Sequence, residues 1–268
     1  MNKIAIATVL TVACGAFAWD EYTPVAAKKL EIDAMYTYKS ITGYYDADGK
    51  KQDYLDETGS SLSPASNTPS LQLKYGVIDG LDVELVGYYV INNKDAGDKS
   101  GFDRTSIDVK YVHPTLGIGG FIGADLPFGS KDIVQGGANP NTTLHFALKY
   151  DKVFGPVAFD SWAAYFLNLE NKDKSKFGDA LDIYLKPQYN VTDKIGPYLG
   201  LDYTNTFKSK TLGTENDDAG YLFTIKPGIN YVISDMFSVE ATVPVTLLGK
   251  NNAASWAIYA GFYTVLPL

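Results

Sequence analysis

The chain is 268 residues long, carries a formal net charge of -8 and has a mean hydropathy of -0.10 with 46% hydrophobic residues. An acidic chain without a basic cluster has no electrostatic footprint for nucleic acid, so none is expected among its partners. The single cysteine, Cys14, lies in the N-terminal leader, so the rest of the chain has no thiol for disulfide or zinc-thiolate chemistry.

In chain order, Ile4 to Ala18 is uncharged, follows Lys3 and closes on Ala16-Phe17-Ala18. A short apolar stretch behind a positive charge, ending in a small-x-small pattern, predicts a cleaved signal peptide over residues 1–18. Residues 19–28 are expected to be a periplasmic N-terminal segment or a plug. From residue 29 to 268 apolar and polar residues alternate over runs of about 8 to 12 positions, the period of strands with two unlike faces. The runs are 30–38, 71–77, 81–91, 104–112, 116–127, 143–150, 157–169, 181–189, 197–207, 221–231, 237–247 and 256–266. Twelve is an even number, as a bacterial outer-membrane barrel requires. The expected fold is all-β, a transmembrane antiparallel up-and-down β-barrel of about 12 strands.

The connections support that reading. Short ones (78–80, 113–115, 151–155, 190–194, 234–235) alternate with long polar ones (40–68, 92–102, 129–141, 170–179, 208–219, 249–254). Outer-membrane barrels have short periplasmic turns and long outer loops. The more apolar phase of each strand carries no charge: Leu81, Val83 and Leu85; Ile107, Val109 and Tyr111; Leu181, Ile183 and Leu185; Phe237, Val239, Ala241, Val243 and Val245. With 20% charged residues overall, such a face does not arise by random placement; it suits lipid. The 20 tyrosines suit the bilayer interface, where an apolar ring meets water with a polar tip. A soluble sandwich also alternates, but its connections need not.

Residues 75–85, Tyr-Gly-Val-Ile-Asp-Gly-Leu-Asp-Val-Glu-Leu, form a turn followed by a strand, and Asn190-Val191-Thr192-Asp193-Lys194-Ile195 and Val232-Ile233-Ser234-Asp235-Met236-Phe237 repeat its order of small residue, Asp and apolar residue. These units resemble the outer-membrane family labelled MetA-pathway of phenol degradation and its transporter-like relatives. The resemblance implies an uptake-type barrel of the bacterial outer membrane. Outer-membrane lipid, the barrel-assembly machinery and small solutes are then the expected partners.

The opposite phase holds the charges. A lysine recurs on each descending strand just before a short turn: Lys74, Lys110, Lys149, Lys186 and Lys226. Asp82, Glu84, Asp160, Asp202 and Glu240 stand on the ascending strands, so a lumen-lining belt of alternating sign is expected near the periplasmic mouth. Glu31, Asp33, Asp108, Asp125 and Asp182 form a second set further up, opposed by Lys39, Arg104 and His145. Charged rings can select solutes, or can satisfy one another in a narrow lumen. Two functions follow: a pore for passive or substrate-favouring passage of small solutes with a mild cation preference, or a structural or surface-interaction barrel closed by its salt bridges.

Other features suggest no chemistry. His145 is expected across a hairpin from Asp125, with no serine positioned to complete a hydrolytic set, and His113 falls in a turn, so no catalytic residue is assigned. Asp46-Ala47-Asp48-Gly49 and Asn216-Asp217-Asp218 do not complete a calcium loop, and no metal site or cofactor is assigned. Gly117, Gly119 and Gly123 are expected on the lumen side of one strand. They imply either a bend or a place where residues 19–28 or loop 129–141 pack.

Overall fold

The computed structural model describes residues 24–53, 65–92, 100–129 and 141–267. The proposed signal peptide, residues 19–23 and most of loop 129–141 lie outside them. Twelve staves form one wall: β1 (Lys29–Tyr45), β2 (Ala65–Ile78), β3 (Leu81–Asn92), β4 (Ser100–Val112), β5 (Ile118–Leu126), β6 (Thr143–Phe154), β7 (Val157–Asn168), β8 (Ala180–Tyr189), β9 (Ile195–Thr206), β10 (Gly220–Ser234), β11 in two pieces (Phe237–Thr242 and Val245–Lys250) and β12 (Asn252–Pro267). Each pairs antiparallel with its chain neighbours. β12 then closes on β1 from Lys29↔Pro267 to Tyr45↔Asn252, so the sheet has no free edge. Closure satisfies the backbone of every stave where no water is available, which is why a sheet in a bilayer must be a barrel.

The pleat separates the two faces as the alternation predicts. Val83, Leu85, Ile107, Val109, Tyr111, Ile183, Leu185, Phe237 and Val243 are exposed on the outside. A belt of exposed apolar side chains this extensive suits hydrocarbon and not water. Asp82, Glu84, Asp108, Lys110, Asp182 and Lys186, each one position away from these, are buried in the interior. Twelve strands enclose a narrow interior, which these side chains line.

The ends of the barrel differ, but not at every connection the spacing predicted. Asp79–Gly80 is a tight turn with Gly80 at φ +83°, a conformation that glycine adopts without strain. The expected long connection 249–254 is instead a tight turn: β11 runs to Lys250, β12 starts at Asn252, and Asn251 alone bridges them at φ +49°. Its backbone N–H donates to the Asp46 carbonyl at 3.2 Å, and its side-chain amide to the Ala219 carbonyl at 2.8 Å. Asparagine tolerates the left-handed region better than other side chains, and composition alone read this polar turn as a loop. Connection 40–68 is shorter than expected too, because β1 continues to Tyr45 and Lys51–Gln52 pairs back onto Tyr44–Tyr45.

Candidate functional site: the barrel lumen

On β1 to β4 the interior is charged. Lys74 reaches Glu31, its register partner on β1, and its Nζ lies 2.9 Å from Asp33 on the same strand; across its own hairpin, register sets it opposite Glu84. Glu84 pairs diagonally with Lys110 on β4 and accepts a 3.0 Å hydrogen bond from Nε2 of Gln72. Lysine stems are long enough to choose a neighbouring strand, so register alone does not assign the partner. Asp82 is fully buried and accepts the backbone N–H of Val25 at 3.0 Å. Higher up, Arg104 lies 3.7 Å from Asp125, which also accepts a hydrogen bond from the Ser106 hydroxyl.

That contact with Val25 shows where the chain entering β1 runs. Lys28, at φ +58°, turns the backbone, and its N–H donates to the Gly76 carbonyl at 2.7 Å. A Cβ on Gly76 would fall 2.1 Å from the carbonyl oxygen of Ala26. The described part of the N-terminal segment, residues 24–28, therefore packs on Gly76 of β2. On β5, Gly117 belongs to the preceding turn. The site of Gly123 is filled from both sides: a Cβ there would fall within 1.9 Å of Asp108 Oδ1 and 2.4 Å of His145 Nε2. Register puts Asp108, Gly123 and His145 in one row across β4, β5 and β6. The bare glycine lets the flanking pair meet, so the partner of His145 is Asp108 and not the expected Asp125.

On β5 to β9 aromatic rings replace much of the charge. Phe121, Trp162, Ala164 and Tyr184 form one buried cluster, with Ala147 and Phe166 against it. Trp162 and Tyr184 stack with centroids 4.3 Å apart, and Trp162 Nε1 donates to Asp182 at 2.7 Å. The Thr204 hydroxyl gives Asp182 a second bond at 2.9 Å. The lysines here have both an acid and a ring. Lys149 pairs with Asp160 and lies 5.5 Å from the Trp162 ring centre; Lys226 is 2.8 Å from Asp202 and 4.6 Å from the Tyr184 ring. Lys186 lies 3.3 Å from Glu240 and 4.1 Å from the Tyr198 ring. Reading the inward phase for charge alone passed over these aromatics. Their signal was present, since Trp162 is two residues from Asp160, and Tyr184 stands between Asp182 and Lys186.

Outside the membrane, Asp46 is occupied by its own loop. Its carboxylate accepts from the N–H groups of Asp48 at 3.0 Å and Lys50 at 2.9 Å, and from the Gln52 amide at 2.8 Å. The Gln52 side chain and these backbone donors hold that carboxyl below the usual aspartate range. Asp218 likewise accepts the Ser209 N–H at 2.9 Å. The two acidic loops thus use their carboxylates as turn acceptors.

A closed antiparallel barrel with an apolar exterior and a charged, aromatic interior defines a transmembrane barrel of the outer-membrane class. Its likeness to solved structures is of the same kind. The chain is similar to the COG4313 outer membrane channel from Pseudomonas putida F1, at 18% identity over 92% of this chain and 99% of that one, with a TM-score of 0.76. It is also similar to the translocator domain of the autotransporter NalP from Neisseria meningitidis (8% identity, 97% and 94% covered, TM-score 0.53) and the beta domain of the Bordetella autotransporter BrkA (11%, 88% and 99%, 0.53). At these identities the likeness is one of fold. The chain belongs to the family described as Putative MetA-pathway of phenol degradation, whose profile matches residues 75–262. No curated protein matches the chain.

Proposed function

We propose that this protein is a pore for passive or substrate-favouring passage of small solutes across the bacterial outer membrane, with a mild preference for cations. Residues 1–18 then serve export, residues 19–28 lie on the periplasmic side, and the barrel-assembly machinery and outer-membrane lipid are its other partners. Likeness to an outer membrane channel supports the pore. The observation that carries the preference is the acid surplus on β1 to β5, where Glu31, Asp33, Asp82, Glu84, Asp103, Asp108 and Asp125 outnumber Lys39, Lys74, Arg104 and Lys110 on the inner wall. A surplus of one sign in a narrow lumen raises the local concentration of the opposite ion.

Single-channel recording in planar bilayers under a salt gradient tests this reading. The expected result is discrete conductance steps with a cation-favouring reversal potential, which moves toward zero in Asp33→Asn/Asp82→Asn. A wild-type reversal potential favouring anions would sink the preference. The depth of the ion pairs supports a second reading, a barrel closed by its own charges with a structural or surface role: Lys74, Glu84, Lys110 and Lys149 are at most 4% exposed. Persistent silence from protein that still migrates as a folded barrel on an unheated gel decides for that alternative.

A further inference from the structure

Glu240 on β11 gathers donors from three other strands. They are Nζ of Lys186 on β8 at 3.3 Å, the hydroxyl of Tyr198 on β9, and the hydroxyl of Tyr263 on β12 at 2.8 Å. Lys186 and Glu240 have β9 and β10 between them, so their side chains meet by lying along the wall. Two glycines make room for this. Gly228 on β10 is the register partner of Tyr198, and a Cβ there would fall 2.3 Å from Cζ of that tyrosine, so the ring rests on bare backbone. Gly261 on β12 is the register partner of Glu240, and a Cβ there would fall 2.4 Å from the Tyr263 hydroxyl and 2.9 Å from that of Tyr259. Those two hydroxyls lie 2.8 Å apart above it. Lys186 sits 4.1 Å from the centre of the Tyr198 ring, where a cation is attracted to the ring face.

Large side chains on the inner wall of a narrow barrel would ordinarily project toward its axis. Here one carboxylate and two missing side chains hold three of them sideways. We propose that Glu240 is the positioning residue that sets the aperture and the local charge of the passage along β8 to β12. It holds Tyr198 flat over Gly228 and Tyr263 over Gly261, with Lys186 against the Tyr198 ring, which keeps their bulk out of the solute path. Its negative charge also offsets that of Lys186 along this part of the wall. This inference rests on the pore reading and adds which residue governs its width.

The test is single-channel recording on full-length protein, with the folded state checked by heat-dependent gel migration. Glu240→Gln keeps the side chain's shape and removes one negative charge beside Lys186. Unitary conductance is expected to fall roughly twofold or more, with the reversal potential moving toward anions. Gly228→Val changes no charge but displaces the Tyr198 ring inward. Conductance should fall while the reversal potential stays at the wild-type value, and Gly228→Val/Tyr198→Ala should restore conductance. Lys208→Gln, in an outer loop, is the control that changes neither. Wild-type conductance and reversal potential in folded Glu240→Gln and Gly228→Val would overturn the proposal and leave the pore standing. Should Glu240→Gln not fold, the Gly228→Val pair decides alone. Folded wild-type protein that never conducts overturns the pore reading and this inference together.

Discussion

The two sides of the lumen solve one problem with different chemistry. On β1 to β5 the polar inner wall is stabilised by charge on charge: Lys74 with Glu31 and Asp33, and Lys110 with Glu84. On β6 to β12 the lumen lysines Lys149, Lys186 and Lys226 each have both a carboxylate and an aromatic face, and Trp162, Tyr198 and Tyr263 add hydrogen bonds from their polar tips. A ring contributes packing and a weak, tolerant attraction for a cation. A second charge contributes attraction only while both partners are present. The first side should therefore be brittle toward loss of a single charge, and the second should degrade gradually.

The largest effect is expected where a pair is broken and one charge is left buried. Lys110→Ala removes the lysine paired with Glu84 and leaves that buried carboxylate the Gln72 amide and the charge of Lys74, its register partner on β2, a change that should cost up to about 3–5 kcal/mol. Denaturant-induced loss of the folded gel band, measured in a lipid environment, reads it. Lys110→Ala/Glu84→Gln should recover most of the loss, because the cost lies in the uncompensated carboxylate. If the double variant is no more stable than the single one, the first side depends on packing and the contrast collapses.

Next in size is Gly123→Ala. The added methyl would occupy the space in which Asp108 and His145 meet, so overpacking together with a disturbed pair should cost about 1–3 kcal/mol. Gly87, where a Cβ would meet nothing within 4 Å, supplies the matched control, since Gly87→Ala should be close to neutral by the same assay. Equal losses at both sites would mean that strand stiffness, not the space needed by the pair, explains the glycine.

These cases mark how far the sequence could be read. The outward phase was legible because lipid rejects any charge, so every stave repeats one rule, and the once-per-hairpin lysines follow from the same repeat. Partner choice was not legible. Lys74 has a register-opposite acid on each flanking strand, Glu31 and Glu84, and a lysine stem can reach past its own register pair, so Lys110 could join Glu84 and Lys186 could reach Glu240 without breaking the alternation. Gly123 read as a bend or as a place where residues 19–28 or loop 129–141 pack, because a missing side chain carries no sign of what fills its place. Asn251 read as part of a long loop because a residue at positive φ leaves no mark in composition.

The smallest predicted effect lies on the aromatic side. Trp162→Phe keeps a ring to stack on Tyr184 and removes the indole N–H that donates to Asp182 at 2.7 Å. Asp182 keeps the Thr204 hydroxyl as a donor, so the loss should fall toward the lower end for an orphaned buried acceptor, about 1–2 kcal/mol. The same denaturant assay measures it, and the size carries the argument. A loss this modest means the rings tolerate the removal of one polar contact because packing remains. A loss matching that of Lys110→Ala would mean that Asp182 depends on its donor as fully as Glu84 does on its lysine, and that both sides of the lumen are held by charge.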